Sequence, residues 1–370
     1  MPNVLVSGAG IAGTALAHHL HRNGFAVTVV ELAPGPRSGG QAVDIRGAAV
    51  EVIARMGLTE QVHAVRTRMR GMSLLDADGH EVHRSTEATY SGGRLDNEDV
   101  ELLREDLVAM LTELVADEAE FVYGDAITAL REDEHGVHVT FQHGRPRTFD
   151  LVVGADGLHS RVRKLAFGPE ERFLHHLGSH LAIFSTDNFL GLEDWQVWQR
   201  DGEAGYGIYP VRGNSELRVC FGWQSEEPAE RDVERSRELV AERMSALRWE
   251  TTRLLAALHG ASDFYADAMA QVRMERWSAG RAVLLGDAGY CASAYSGQGT
   301  SLALVGAHLL ADELARAAAA GADHRTAYAR YEERMRPFVA LNQALATENP
   351  GGPAAEESVE RAKNAVALDR

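Results

Sequence analysis

The chain has 370 residues and 45% hydrophobic content, enough for two domains or one large one with a full core. Its 37 basic against 54 acidic residues leave a net charge of −17, the wrong sign for nucleic acid or an anionic membrane as main partner, since both need a basic footprint. No stretch is apolar enough for long enough to span a bilayer, and no secretory leader precedes the first strand. Two cysteines, Cys220 and Cys291, make neither a disulfide framework nor a metal cluster. A cytoplasmic protein with no metal is expected, and its 16 histidines read as mostly surface residues.

Asn3 to Glu31 reads as strand, glycine turn, helix, strand and acid. Gly8 permits a tight turn, Gly10 lets backbone approach a pyrophosphate, and Gly13 lets helix and strand pack closely. Ile11 and Ala12 open the helix, whose N-terminal amides and dipole suit phosphate. Glu31 stands about twenty residues on, where a carboxylate accepts from a ribose. The stretch specifies an adenine dinucleotide without choosing NAD or FAD. Leu32 to Gly40 is a loop by its Pro and Gly content, with Arg37 placed to reach whatever Glu31 holds.

Gln41 to Gly47 is a short apolar segment carrying Arg46, and Ala48 to Met56 has helical spacing that stops at Gly57. Met72 to Arg84 alternates about Asp76–Gly79, a hairpin signal. Asn97 to Ala116 has the spacing of one amphipathic helix capped by Asn97, with Arg104 early in it. Short strands are predicted at 121–123, 126–131, 137–141 and 149–153. The last runs into Gly154-Ala155-Asp156-Gly157. From Arg172 to Arg273 aromatic strands at 195–199, 205–210 and 216–223 and charged helices over 230–259 suggest an inserted, mostly antiparallel unit. A buried strand then breaks into Gly286-Asp287, a loop leads to Gly297-Gln298-Gly299-Thr300, and helices cover 301–320 and 327–347. Pro350–Pro353 reads as a hinge before a polar tail.

The order and spacing of three motifs, Gly8–Gly13, Asp156-Gly157 through Arg163, and Gly286-Asp287 with Gly297-Gln298-Gly299, resembles the group A flavoprotein monooxygenases over residues 3–345. These are the para-hydroxybenzoate-hydroxylase-like enzymes, and the tetracycline- and polyketide-modifying members look most similar. The resemblance implies an α/β fold: a Rossmann-like FAD-binding domain (1–71, 97–171 and 276–320), an inserted antiparallel-sheet substrate domain (72–96 and 172–275), and C-terminal helices and tail (321–370). It implies FAD held by Gly8, Gly10, Ile11, Ala12, Gly13, Glu31, Arg37, Arg46, Arg104, Asp156, Gly157, Gly286, Asp287, Gly297, Gln298, Gly299 and Thr300.

With no second GxGxxG, NADPH or NADH is expected to dock transiently as reductant. The implied reaction is hydroxylation of an aromatic or polyketide-like small molecule by O2 through a flavin C4a-hydroperoxide, in a monomer or homodimer, with no named catalytic side chain. Trp198, Tyr209, Phe221 and Tyr295 are candidate substrate-lining aromatics, with sheet core as the competing reading for each. Where the family usually has proline in the loop after Gly286-Asp287, this chain has Ala292 and Ala294. Two alternatives stay open: a related FAD-dependent reductase, epoxidase or oxidase, and a non-catalytic flavin- or ligand-binding protein that sequesters its ligand. No WxWxIP-like motif supports a halogenase.

Overall fold

The first strand, Asn3–Ser7, is the pivot of the architecture. It lies between Ala26–Glu31 and Leu151–Gly154, parallel to both, with Val4 opposite Val27 on one side and Leu151 on the other. The computed structural model describes residues 1–36, 39–349 and 352–369. In it the six-stranded sheet runs Ser278–Ala279, Ala282–Leu284, Leu151–Gly154, Asn3–Ser7, Ala26–Glu31, Glu120–Tyr123. Val4, Leu5 and Val6 are fully buried, as a parallel strand covered on both faces must be. Helix Ile11–Arg22 packs on this sheet, and helix Gly299–Ala319 packs on that helix. A three-stranded antiparallel sheet, Ile127–Asp133, Gly136–Phe141 and Arg147–Phe149, joins the same core through Val137, Val139 and Phe149.

A seven-stranded sheet forms the second layer, in the order Tyr265–Val272, Leu174–Asp187, Glu216–Gln224, Ala204–Val211, Gln196–Asp201, Met72–Leu75, Glu81–Ser85. Only Gln196–Asp201 and Met72–Leu75 pair in parallel. One face is covered by helices Val233–Met244 and Thr251–Gly260, over a core that includes Phe184, Tyr206, Ile208, Leu217, Val219 and Phe221. The other face turns toward the first layer. Among the described residues, no helix is long and apolar enough to cross a membrane.

Three expectations from sequence need correction. The helix expected from Asn97 begins at Arg104; Val100–Leu103 is a strand paired antiparallel with Ala42–Ile45. Leu103 shares the helical spacing but packs with Tyr209 and Val211, and Asn97 Oδ1 accepts the Asp99 amide in a turn rather than capping a helix. The strand expected over 149–153 changes sheets at Asp150, which accepts the Asn3 amide at 2.7 Å and so starts a new strand against the first.

The tail is not merely polar chain. Helix Glu356–Lys363 is docked by buried Lys363 on Asp99 at 2.9 Å, and Arg334 donates to the carbonyls of Ala367 and Leu368. Part of the expected hinge, residues 350 and 351, lies outside the described residues.

The histidines are mostly at the surface, as expected, with three exceptions. His18, His19 and His180 are buried. His19 packs edge-on against His18 and His308, with ring centroids 5.3 and 5.0 Å away. Burial, reinforced by His308 and His18, lowers His19 from 6.5 to about 3. The folded chain therefore holds His19 neutral while the unfolded chain protonates it below 6.5, so its contribution is intact above that pH and is lost progressively as the pH falls toward 3. Between pH 6.5 and about pH 5, His19 alone should withdraw ~2 kcal/mol of stability. Denaturant unfolding at both pH values checks this, and His19→Leu should shrink the pH dependence by about that amount.

Candidate functional site

The glycine turn is closed where it packs and open where it does not. Gly8 has φ +106°, and a Cβ there would stand 2.5 Å from the Ala155 carbonyl oxygen. A Cβ on Gly13 would stand 1.9 Å from the Gly8 carbonyl oxygen. Neither position admits a side chain. At Gly10 a Cβ would meet only the tip of Arg104, at 3.9 Å. Behind Gly10, the helix with Ile11 and Ala12 in its first turn has no side-chain cap and no acid in that turn. Its leading amides are donors for an anion. Glu31 closes the other side: its carboxylate accepts the amides of Ala9 and Ala33, each at 2.9 Å. Arg37 lies outside the described residues.

Two distant loops meet this turn. Asp156 accepts from the Arg161 and Val162 amides at 2.9 and 3.2 Å and from Ser160 and Ser7 hydroxyls, so its carboxylate caps helix Arg161–Phe167. Burial raises this carboxyl above the ordinary range even so. Gly157, at φ +78°, presents bare backbone with no atom within 4 Å of a would-be Cβ. From the far end of the chain, Gly286 comes so close that a Cβ would lie 3.2 Å from Ala12 Cβ. Asp287 is exposed, yet loss of water raises its carboxyl, with Cys291 and Arg104 opposing.

The cleft continues to Gly297, whose would-be Cβ lies 3.5 Å from the Arg46 guanidinium, and to Gly299, which has nothing within 4 Å. Gly299 begins a 21-residue helix that, like the first, has no side-chain cap and no acid in its first turn. Gln298 is fully buried and Thr300 nearly so. The Gln298 carboxamide is closed off from the cleft, so any contact from this residue is through its main chain. Arg104 opens its helix beside Gly10 and Gly40. Arg46 pairs with Asp44 at 3.0 Å and donates to the Ser91 carbonyl. Burial raises Asp44, with Arg46 opposing and Glu101 adding to the shift.

The seven-stranded sheet closes the cleft from the opposite side. Tyr209 accepts the Ala42 amide at 3.0 Å, and Tyr295 shares a hydrogen bond with Ser179 at 2.7 Å. Trp198 lies over Gly207, where a Cβ would overlap its ring, and meets Tyr90 edge-on. Phe221 corrects the expectation: it is fully buried on the helix-covered face against Phe184 and Tyr206 and lines no cleft. Strand alternation puts Arg218, Cys220 and Gly222 on the cleft side instead. The sequence reading missed buried Arg218, whose Nε donates to the Gly40 carbonyl at 2.9 Å while Nη2 pairs with Glu105. An arginine alternating with apolar residues in a strand was the available signal.

The arrangement fits an extended dinucleotide. Acid and amides at Glu31 end in the open glycine at Gly10, then Arg104 and Asp287, then the bare backbone of Gly297 and Gly299 beside Arg46. This lies at the C-terminal end of parallel strands where the sheet order switches direction.

Residues 1–345 match the family described as FAD binding domain. An uncharacterized protein of Mycobacterium tuberculosis is 46% identical, covering 100% of this chain and 99% of its own. A flavin-dependent monooxygenase from an unknown prokaryotic organism is 38% identical, over 92% of this chain and 88% of its own. Among solved structures, tetracycline destructase Tet(55) is 34% identical with a TM-score of 0.87, covering 99% of this chain and 98% of that one. From these matches and the cleft they span, the chain belongs to the FAD-binding-domain family, among its flavin-dependent monooxygenases.

Proposed function

We propose that the chain hydroxylates an aromatic or polyketide-like fused-ring molecule, using FAD, O2 and NADPH or NADH, with the six-stranded layer as FAD-binding domain and the seven-stranded layer as substrate domain. The observation that carries this reading is the convergence of open glycines and uncapped helix ends at Gly10, Gly297 and Gly299, on the side of the first layer that faces the second. Tetracycline is the natural first substrate to try, because Tet(55) shares the whole architecture.

When bound, FAD supplies the redox chemistry, taking electrons from the nicotinamide and delivering one oxygen atom from O2 to carbon. The protein binds, orients and excludes water. The amides after Gly10 and the Arg104 guanidinium receive the pyrophosphate charge. Glu31, held by the amides of Ala9 and Ala33, accepts from ribose hydroxyls. Asp287, an acceptor beside the pyrophosphate, takes hydroxyls of the ribityl chain. The amides after Gly297 and the Arg46 cation face the ring system and favour negative charge on it. Tyr209 and Tyr295 pin the sheet against the first layer and keep water from the space between. The chain is proposed to act in the cytoplasm as a monomer or homodimer.

The test supplies FAD, NADPH or NADH, air and tetracycline. Consumption of reductant and O2 in equal amounts, with a product heavier by one oxygen atom, is expected. O2 uptake that yields only peroxide, with tetracycline and simpler phenols alike, overturns the hydroxylase reading.

A paired substitution tests the cofactor's placement. Gly10→Val should fold with unchanged thermal stability, since only the movable Arg104 tip is near, but lose FAD retention at least tenfold. Gly13→Ala should instead destabilise the fold by roughly 2 kcal/mol or more, because its Cβ overlaps a carbonyl oxygen. Full flavin occupancy in purified Gly10→Val would refute the placement.

A further inference from the structure

Strand pairing lines up one row of residues across the cleft face of the seven-stranded sheet. Tyr265 stands opposite Ile183, Ile183 opposite Cys220, Cys220 opposite Gly207, and Gly207 opposite Trp198. Trp198 and Tyr265 are thus four strand spacings apart, about 19 Å between backbones. Trp198 marks one end with an aromatic face. Tyr265, 49% exposed, marks the other. The register puts its side chain on the same sheet face as Cys220 and Trp198. Loss of water, with Asp267 and Asp287 adding to the shift, pushes the Tyr265 hydroxyl far above the ordinary tyrosine range, so it stays protonated.

What fixes this hydroxyl is a chain of charges that the cofactor site does not use. Tyr265 Oη donates to Asp267 Oδ2 at 3.0 Å. The same oxygen accepts from His159 Nε2 at 2.8 Å, and His159 Nδ1 lies 3.0 Å from Glu170. Arg163, fully buried, and Arg231 both bind Glu170, and Arg231 also stands beside His159. Burial works against charge on His159 and on Asp267, and their pairing outweighs it: His159 is raised and Asp267 lowered. At neutral pH Asp267 is therefore an acceptor with no proton to give. The one proton of the Tyr265 hydroxyl stays on its oxygen and is directed at Asp267. Its oxygen can show the cleft only lone pairs.

We propose that Tyr265 is a specificity-determining ligand contact: an acceptor locked by Asp267 and His159, which selects molecules carrying a hydroxyl donor at the end of the ring system remote from Trp198. This rests on the reading of the row as part of the substrate cleft. A ligand hydroxyl there gains a hydrogen bond, while a methyl ether leaves the Tyr265 oxygen unpaired in a poorly hydrated site. His159 and Asp267 touch no ligand and act by orienting Tyr265.

The experiment uses FAD-loaded protein without reductant and two probes, 2,6-dihydroxyanthraquinone and its dimethyl ether. The wild type should bind the dihydroxy probe about tenfold more tightly than the ether. Tyr265→Phe should abolish that preference while flavin occupancy stays unchanged. Asp267→Ala should also weaken it, although Tyr265 is still present, because the hydroxyl loses its acceptor and is free to turn and donate. A merely structural Asp267 would lower affinity for both probes equally. Retention of the wild-type preference in Tyr265→Phe, or binding of neither probe by the wild type, overturns the assignment. Preferential binding of the dihydroxy probe by a protein that never oxygenates a substrate would sink the hydroxylase reading and leave this one standing.

Discussion

Two backbones touch where the first strand turns into the first helix, and most of the molecule is arranged by that contact. The Gly8 carbonyl lies against Gly13, and Gly8 itself lies against the Ala155 carbonyl, at separations where any side chain would collide. The turn is thereby held against the Asp156 loop, nearly 150 residues away in sequence. Gly286 approaches Ala12 from the other end of the chain by the same means. Three loops converge without side chains between them. The leading amides of the helices beginning at Ile11 and Gly299 are left uncapped at the cleft they form. Leaving such donors uncapped favours a bound anion that completes them.

Charge follows from this geometry. The chain is strongly acidic overall, but the first turns of both helices carry no acid, and Arg104 and Arg46 stand at the cleft. Three of the acids there are engaged. Glu31 and Asp156 accept backbone amides, and Asp44 pairs with Arg46. Asp156 and Asp44 thus shape the site, amides and guanidinium groups are left to meet negative charge, and Glu31 and Asp287 are left to meet hydroxyls. The second layer is tied on by polar contacts between the sheets, Arg218 to Gly40, Tyr209 to Ala42 and Asp267 to His159, so the substrate wall is set relative to the cofactor wall by a few oriented groups.

The glycine motifs were legible in the sequence because their requirement is absolute: no other residue fits where two backbones meet. Side-chain roles were less so. Asp156 stands in its expected loop, but its carboxylate is taken up in capping a helix, and Gln298 turns its carboxamide inward. Phe221 was misplaced because alternation shows that a strand has two faces without showing which one a helix layer covers. Leu217, Val219 and Phe221 against Arg218, Cys220 and Gly222 carried that pattern plainly. The strand Val100–Leu103 was hidden because its leucines also fit the spacing of the helix that follows. The strand Leu174–Asp187 went unseen because three histidines and a register shift break its pattern. Tyr265 and Asp267 are neighbours on one face of a strand, but His159 lies more than a hundred residues earlier, and only the fold brings it to Asp267.

The account stands on the claim that this backbone cleft holds FAD with the ring system against the seven-stranded sheet. Titrating the purified protein with FAD, while following the visible flavin absorption and its perturbation by 2,6-dihydroxyanthraquinone, tests this most directly. Saturation at one FAD per chain, with a flavin band that shifts when the ring compound binds, is the expected result. A protein that takes up no flavin, or whose bound flavin is indifferent to every ring compound it binds, would contradict it.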